Sequence, residues 1–243
     1  MKLTDFSVPI SKQVFISRYL AEGSLLKSEL HKQGYEIVQE SLIIVSQIRY
    51  SNAPKLDRIF PPSKNAIKYF FTQNPQIDSW TLFAVLRENS AKYLNAFGKS
   101  ATFIGIGNVV VNIAKDFARL ITTETVLFPQ AIDSLQTVQR QGSFANISKN
   151  LFVYKTSLKS KFEIPKSEIL VFTSRSNVTA YFTKYTISDD ERVIAIGTTT
   201  LQKLKSYGIN QLMISDSFSE EDLLKAVLEE LNKEGDLNPK CQR

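Results

Sequence analysis

The chain has 243 residues, of which 30 are basic and 24 are acidic, so its formal net charge is +6; 43% of its residues are hydrophobic and 22% are charged. This is the composition of an ordinary globular protein, and the length allows one large domain or two of about 100 to 150 residues. With one histidine (His31) and one cysteine (Cys241), the chain lacks the ligands of a usual zinc site, an internal disulfide framework and a convincing triad or thiol nucleophile.

Short apolar runs alternate with segments of helical period, which is the pattern of a mainly parallel α/β sheet. The first elements are predicted as a strand at 14–17, a helix over 20–32 that Gly34 ends, and extended segments at 35–38 and 42–46. Later strands are predicted at 59–60, 102–104, 126–128, 152–154, 169–172, 193–196 and 212–214. Later helices are predicted at 64–71, 79–97, 109–118, 176–184, 199–207 and 220–232.

The chain contains a weak internal repeat. Segment 59–67 resembles 171–178, since each is an apolar strand end, a serine-bearing turn and a helix start. Each copy is followed by a strand that ends in Ile-Gly, at Ile106-Gly107 and at Ile196-Gly197, and an insertion over 72–100 lengthens the first copy. The repeat predicts two similar α/β domains.

Hydroxyl residues follow several predicted strands. The hydroxyl residues found where a loop leads into a predicted helix are Ser63, Ser174, Ser176 and the run Thr198-Thr199-Thr200. In open α/β sheets ligands bind at this edge, and helix N-termini there attract carboxylate or phosphate. Each residue alone is equally well a helix cap, but several such turns at one edge favour a binding role.

Tyr154 ends the predicted strand over 151–154 and lies in a basic stretch. Around it stand one acidic residue, Glu163, and five lysines: Lys149, Lys155, Lys159, Lys161 and Lys166. A tyrosine hydroxyl can donate a proton, and nearby cations are expected to lower its pKa and favour the ionised form. The competing interpretation is an aromatic strand residue beside solvated lysines.

Two other patterns are assigned no chemistry. Gly105-Ile106-Gly107 is similar to the start of a dinucleotide motif, but the third glycine and the acidic residue about 20 positions on are missing, so that site is rejected. Tyr181 and Tyr185, four residues apart, are predicted to be packing residues.

The C-terminal half resembles the uroporphyrinogen-III synthase family in four motifs taken in order. These are Val171-Phe-Thr-Ser-Arg-Ser-Asn-Val178, Ile194-Ala-Ile-Gly-Thr-Thr-Thr200, Leu204-Lys-Ser-Tyr-Gly208 and Ser219-Glu-Glu-Asp-Leu-Leu224. The family also has comparable motifs at three positions earlier in the chain: Ile16-Ser-Arg18, Leu127-Phe-Pro129 and Val153-Tyr-Lys-Thr156. The resemblance spans most of the chain, and the order of its motifs carries it.

The resemblance implies two similar α/β domains with mainly parallel sheets, joined by a two-stranded antiparallel linker, with the active site in the cleft between the domains. The first domain is then expected to be discontinuous, at 1–40 plus 158–243, and the second to lie at 50–149. The linker strands are expected at 41–49 and 150–157.

The resemblance also implies a reaction. A lyase of haem biosynthesis would close hydroxymethylbilane, a linear tetrapyrrole with eight carboxylates, to uroporphyrinogen III and water, with ring D inverted and with no metal or cofactor. Helix N-termini and hydroxyl groups suit such a polycarboxylate. The alternative is a non-catalytic two-domain binding or regulatory protein for an anionic ligand on the same fold.

Site residues are carried over from the family one by one. Tyr154 matches the tyrosine that the family has as the candidate acid for departure of the substrate's hydroxyl group. The substrate-binding residues implied are Arg18, Ser63, Lys64, Asn65, Ser174, Arg175, Ser176, Thr199 and Thr200. In the first copy, Pro61-Pro62-Ser63 stands where the family usually has Phe-Thr-Ser, and Val110 stands in place of a threonine.

Charge, cysteine usage and hydropathy predict the location and partners. The single cysteine is typical of a reducing compartment, the N-terminal sequence has no apolar signal core, and no apolar run reaches the ~20 residues that span a bilayer. We therefore expect a cytoplasmic protein without a membrane partner, and the family resemblance implies a monomer that binds a small-molecule substrate. Nucleic acid is also not expected as a partner, because the chain lacks an aromatic-basic repeat.

Overall fold

The computed structural model describes residues 12–141, 144 and 147–233, so Cys241 and the tail after Lys233, which is polar, lie outside the described residues. The strands are β1 (Gln13–Ile16), β2 (Glu36–Gln39), β3 (Ile43–Gln47), β4 (Arg58–Ile59), β5 (Leu82–Val85), β6 (Phe103–Ile104), β7 (Val126–Ala131), β8 (Ser148–Leu158), β9 (Ile169–Phe172), β10 (Arg192–Ala195) and β11 (Met213–Ile214). The helices are α1 (Leu25–Lys32), α2 (Lys64–Phe71), α3 (Glu88–Asn95), α4 (Val110–Leu120), α5 (Thr137–Gln141), α6 (Arg175–Tyr181), α7 (Thr198–Lys205) and α8 (Glu220–Asn232). Within these ranges no helix has the length and apolar content that crossing a membrane requires.

The chain divides into two compact units, each with its own sheet. The terminal unit, Met1–Ile44 with Leu158–Arg243, has the strand order β11-β10-β9-β1-β2, and the central unit, Val45–Ser157, has the order β3-β8-β7-β4-β5-β6. All ladders in the first sheet are parallel, as are those that join β8, β7, β4, β5 and β6. The predicted α/β fold with mainly parallel sheets is therefore confirmed.

Two neighbouring strands carry the chain from one unit to the other. The amide of Ile48 donates to the carbonyl of Val153 at 2.9 Å, and the amide of Lys159 donates to the carbonyl of Leu42 at 2.9 Å. From Leu42 to Ile48 the chain runs forward, while their partners run backward from Lys159 to Val153, so β3 and β8 are antiparallel.

Both faces of each sheet are buried. In β1, Val14 and Ile16 lie in one apolar cluster of the terminal unit and Phe15 lies in the other. The four residues of β9 alternate between the same two clusters, and the central unit has its own pair of clusters. Burial on both faces explains why these strands appear in the sequence as continuous apolar runs.

The helix predicted over 79–97 is wrong, because this stretch contains β5 followed by α3. Phe83, Ala84 and Val85 are almost fully buried, and β5 lies between β4 and β6. A short apolar run cannot be assigned to strand or helix by its period alone. The helix predicted from residue 20 begins at Leu25 after the cap Ser24, and α5 was not predicted.

The position of β5 corrects the internal repeat. In the terminal unit β10 lies beside β9 and leads through Gly197 into α7, whereas in the central unit β5 lies beside β4 and leads through Arg87 into α3. The counterpart of Gly197 is therefore Arg87, and the alignment with Ile106-Gly107, which follows β6, is wrong. Val110 accordingly does not replace the threonine of that turn.

Gly105 is confined by its surroundings, so Gly105→Ala is expected to lower the free energy of unfolding by about 1–3 kcal/mol. A Cβ at this position would lie 2.3 Å from Cγ2 of Ile113 and 2.6 Å from the backbone oxygen of Leu86. Gly23→Ala is the matched control, since a Cβ there meets nothing within 4 Å. Urea unfolding of both variants measures the difference, and equal midpoints would contradict the prediction.

Candidate active site

Chemically active side chains gather at the carboxyl edge of the central sheet. Ser63 follows β4, Arg87 follows β5 and Asp133 follows β7, and these strands are parallel neighbours or next neighbours. Tyr154 is paired with Ala131, the last residue of β7, beside a register shift. Tyr154 therefore stands at the same edge, although β8 continues past it and it does not end its strand as predicted.

Tyr154 contacts Ser63, the N-cap residue of α2, and Tyr69 within that helix. Its hydroxyl oxygen lies 3.1 Å from Oγ of Ser63, which also caps α2 by accepting from the amide of Ala66 at 3.1 Å. Its ring stacks on that of Tyr69, with centroids 5.7 Å apart and an interplanar angle of 29°. Ser63 was predicted from the sequence, whereas nothing in the local pattern identified Tyr69.

Burial raises the pKa of Tyr154 above its ordinary value. The hydrogen bond with Ser63 acts in the opposite direction, and Asp133 and Tyr69 add to the rise. The expected lowering of this pKa by lysines is wrong: Lys155 is exposed and points to the other face of the strand, and Lys159 is paired with Glu40. The hydroxyl of Tyr154 is therefore protonated at neutral pH.

The first turn of α2 has the character of an anion-binding surface. Lys64 and Asn65 are exposed, and this turn contains no acidic residue. The first turn of α8, in contrast, contains three: Glu220, Glu221 and Asp222. Free amides and the helix dipole at such an N-terminus attract a carboxylate, and Lys64 adds a positive charge.

At the edge of the terminal sheet, the hydroxyl group of Ser174 already accepts two hydrogen bonds. Its Oγ accepts from the amide of Asn177 at 3.2 Å and from Nδ2 of the same residue at 2.9 Å. Asn177 is 3% exposed, and its Oδ1 accepts from the amide of Leu42 at 2.8 Å. With both lone pairs of Ser174 used, the remaining capacity is to donate a proton, which suits an anionic acceptor. The sequence did not identify Asn177.

The predicted threonines separate into an exposed residue and a buried one. Gly197 caps α7 and lies against the ring of Phe218, where a Cβ would come within 2.6 Å of Cζ. Thr199 is exposed in the first turn, whereas Thr200 is 2% exposed and faces the interior. Of the two, only Thr199 presents its side chain at the surface.

The remaining predicted residues also lie at the edge of the terminal sheet. Arg18 follows β1 and is partly buried; burial lowers the pKa of its guanidinium, and the nearby carboxylate of Glu220 opposes that effect. Arg175 and Ser176 are partly buried in the first turn of α6. In the described residues no group of three or more His, Cys, Asp and Glu side chains is arranged to hold a metal ion.

Comparison with known proteins identifies a family. The family model for uroporphyrinogen-III synthase HemD matches residues 24–225. The structure is similar to uroporphyrinogen-III synthetase from Helicobacter pylori (TM-score 0.65, 20% identity, 89% of this chain and 99% of that chain covered) and to a mutant uroporphyrinogen III synthase from Thermus thermophilus (TM-score 0.59, 12% identity, 91% and 99% covered). At these identities the structural likeness shows the fold alone. No curated protein matches the chain significantly.

Proposed function

The chain belongs to the uroporphyrinogen-III synthase family, and from this premise we propose that Tyr154 donates the proton with which the hydroxyl group of hydroxymethylbilane leaves as water. The Tyr154 proton and the departing hydroxide make the water, and the substrate becomes a cationic azafulvene. The proton that ring D loses when the macrocycle closes returns to the tyrosinate, so the overall change is loss of one water.

The observation that carries this proposal is the contact of the Tyr154 hydroxyl oxygen with Oγ of Ser63, 3.1 Å away, at a partly buried position that raises the pKa of Tyr154. Hydroxide is a poor leaving group, so its departure is helped by a positioned acid that is still protonated at the working pH. Burial keeps Tyr154 in that form. The hydrogen bond with Ser63 then stabilises the tyrosinate that proton transfer leaves behind.

We propose that exposed and partly buried residues at the two sheet edges bind the carboxylates of the substrate. In the central unit these are Lys64 and Asn65, with the N-terminal amides of α2 beside them. In the terminal unit they are Arg18, Ser174, Arg175, Ser176 and Thr199. Ser174 is the best supported, because its hydroxyl is left only with a proton to donate. Thr200 is omitted since its side chain faces the interior.

We propose further that the protein acts as a cytoplasmic monomer without a membrane or nucleic-acid partner. A single cysteine in 243 residues is the support for a reducing compartment. The net charge of +6 favours binding of a polyanionic small molecule.

Incubation of the protein with hydroxymethylbilane, followed by separation of the product isomers, tests the proposed function. We expect uroporphyrinogen III, formed faster than the substrate closes by itself. The spontaneous reaction gives the isomer with ring D not inverted. If only that isomer forms while the protein binds substrate tightly, the chain is the non-catalytic binding protein and the proposal fails.

A further inference from the structure

We propose that helix α2 is a two-point clamp for Tyr154, in which Ser63 donates a hydrogen bond to the phenol oxygen and Tyr69 covers the ring. Both are positioning residues, since they act on the substrate through Tyr154. The inference rests on the proposed role of Tyr154 and gives Ser63 a different task from the substrate contact that the family resemblance implies.

The two cap serines of the internal repeat differ in their partners. Ser174 and Ser63 occupy the same place, at the N-cap of the helix that follows the middle strand β9 or β4 of each sheet. Oγ of Ser174 accepts a hydrogen bond from Nδ2 of Asn177, three positions on. At the same offset from Ser63 the central unit has Ala66, which offers only its backbone amide. The second bond of Ser63 therefore goes to Tyr154.

The direction of that bond determines what Tyr154 can do. The two oxygen positions allow either hydroxyl to donate. When Ser63 donates, one of its lone pairs still accepts from Ala66, and the proton of Tyr154 is free for a substrate. After that proton has left, Ser63 already donates to the tyrosinate, and hydrogen bonds to charged groups are the stronger ones.

Tyr69 completes the clamp from the second turn of the same helix. Its ring lies against that of Tyr154, while its hydroxyl donates to the backbone oxygen of Val45 at 3.1 Å. Gln73, just beyond the helix, donates to the carbonyl of Ile48 at 3.1 Å. Since α2 also buries its inner face in the core, the clamp is anchored independently of Tyr154.

Ser63→Ala is expected to lower kcat by about 10- to 100-fold, because it removes a hydrogen bond to a developing charge, and to leave KM nearly unchanged. It is also expected to raise the pKa of Tyr154 further, since the Ser63 bond is the contact that lowers it. The pKa is measured by titrating the protein with ¹³C-labelled tyrosine, with the Tyr154 signal identified by its absence in Tyr154→Phe. Ser63→Thr keeps the hydroxyl and is expected to restore both values.

Ser219→Ala is the matched control for the loss of a helix cap. Ser219 accepts from the amide of Asp222 at 3.0 Å at the start of α8 and has no part in the clamp. A similar loss of stability with unchanged kcat is expected. If Ser63→Ala behaves in the same way, or if it raises KM alone, the clamp is wrong.

Tyr69 is tested by two substitutions that separate its ring from its hydroxyl. Tyr69→Leu is expected to lower kcat by about 2- to 10-fold through loss of the aromatic pair, and Tyr69→Phe, which keeps the stacked ring, is expected to lower kcat less. Equal kcat in both variants would remove Tyr69 from the clamp.

The titration separates failure of the clamp from failure of the proposed function. It needs no substrate and reports only on the surroundings of Tyr154. If Tyr154→Phe retains full activity while Ser63→Ala shifts the pKa of Tyr154, the proton-donor role fails and the contact stands. If the pKa does not move in Ser63→Ala, the clamp fails whatever the activity of Tyr154→Phe.

Discussion

Tyr154→Phe is expected to lower kcat by about 10²–10⁴-fold, the usual contribution of a general acid, while the protein stays folded. Phenylalanine keeps the ring that stacks on Tyr69 and removes only the hydroxyl that bonds to Ser63. Rates are measured with hydroxymethylbilane as the substrate. Unimpaired turnover by the variant would exclude Tyr154 as the acid.

The pH profile gives a second measurement of the same role. Tyr154 acts in its protonated form, so activity is retained below its pKa and lost as the pH rises through it. Since that pKa lies above its ordinary value of about 10, the loss is expected on the alkaline side of pH 10. Tyr154→Phe should lack this alkaline loss. Tyr181→Phe is the control, because burial also raises the pKa of Tyr181 but this residue lies in the apolar core of the terminal unit.

Glu168→Ala is expected to lower the free energy of unfolding by about 3 kcal/mol, the lower end of the usual cost of removing one partner of a buried ion pair, because the side chain of Arg192 is 19% exposed. Glu168 is 6% exposed and is paired with Arg192, which also donates to the backbone oxygen of Glu230. The hydroxyl of Tyr35 donates to the same carboxylate at 3.3 Å. Because a domain is stable by only about 5–15 kcal/mol, this loss is a large share of the total.

An exposed ion pair in the same unit serves as the control. Nζ of Lys166 and Oδ2 of Asp190 are 2.6 Å apart, and the side chains are 61% and 39% exposed, so Asp190→Ala is expected to change stability much less than Glu168→Ala. Both variants are measured by urea unfolding. Glu168→Gln, which keeps the shape of the side chain, replaces Glu168→Ala if the latter does not fold. Similar midpoints for the Glu168 and Asp190 variants would contradict the prediction.

Most of the fold could be predicted from the sequence because its strands are buried on both faces. Continuous apolar runs marked β1 and β9, and the cap Ser219 with three following acidic residues marked α8. The prediction failed at β5, where a buried strand runs directly into α3. β5 is a short apolar run, and the buried face of α3, formed by Ser90, Ala91 and Leu94, continues it, so the stretch resembles one long helix. Only the pairing of β5 with β4 and β6 distinguishes the two elements.

The candidate site was predicted in part. The positions of Ser63 and Ser174 followed from their place between strand and helix, since a cap residue is specified by its immediate neighbours. Tyr69 and Asn177 were missed, because their importance lies in contacts with Tyr154 and Leu42, far away in the chain. No local pattern signals such a contact.

The sequence by itself determined the α/β class, the place of the hydroxyl-bearing turns and, through the order of its motifs, the family. The tertiary structure alone decided the protonation state of Tyr154. In the sequence its neighbours are lysines, and they predicted a lowered pKa. In the fold Lys155 is exposed and Lys159 is paired with Glu40, and the Tyr154 side chain is partly buried beside Ser63 and Tyr69 instead. A pKa responds to the groups within a few ångströms in space, and for a strand residue these come mostly from other elements.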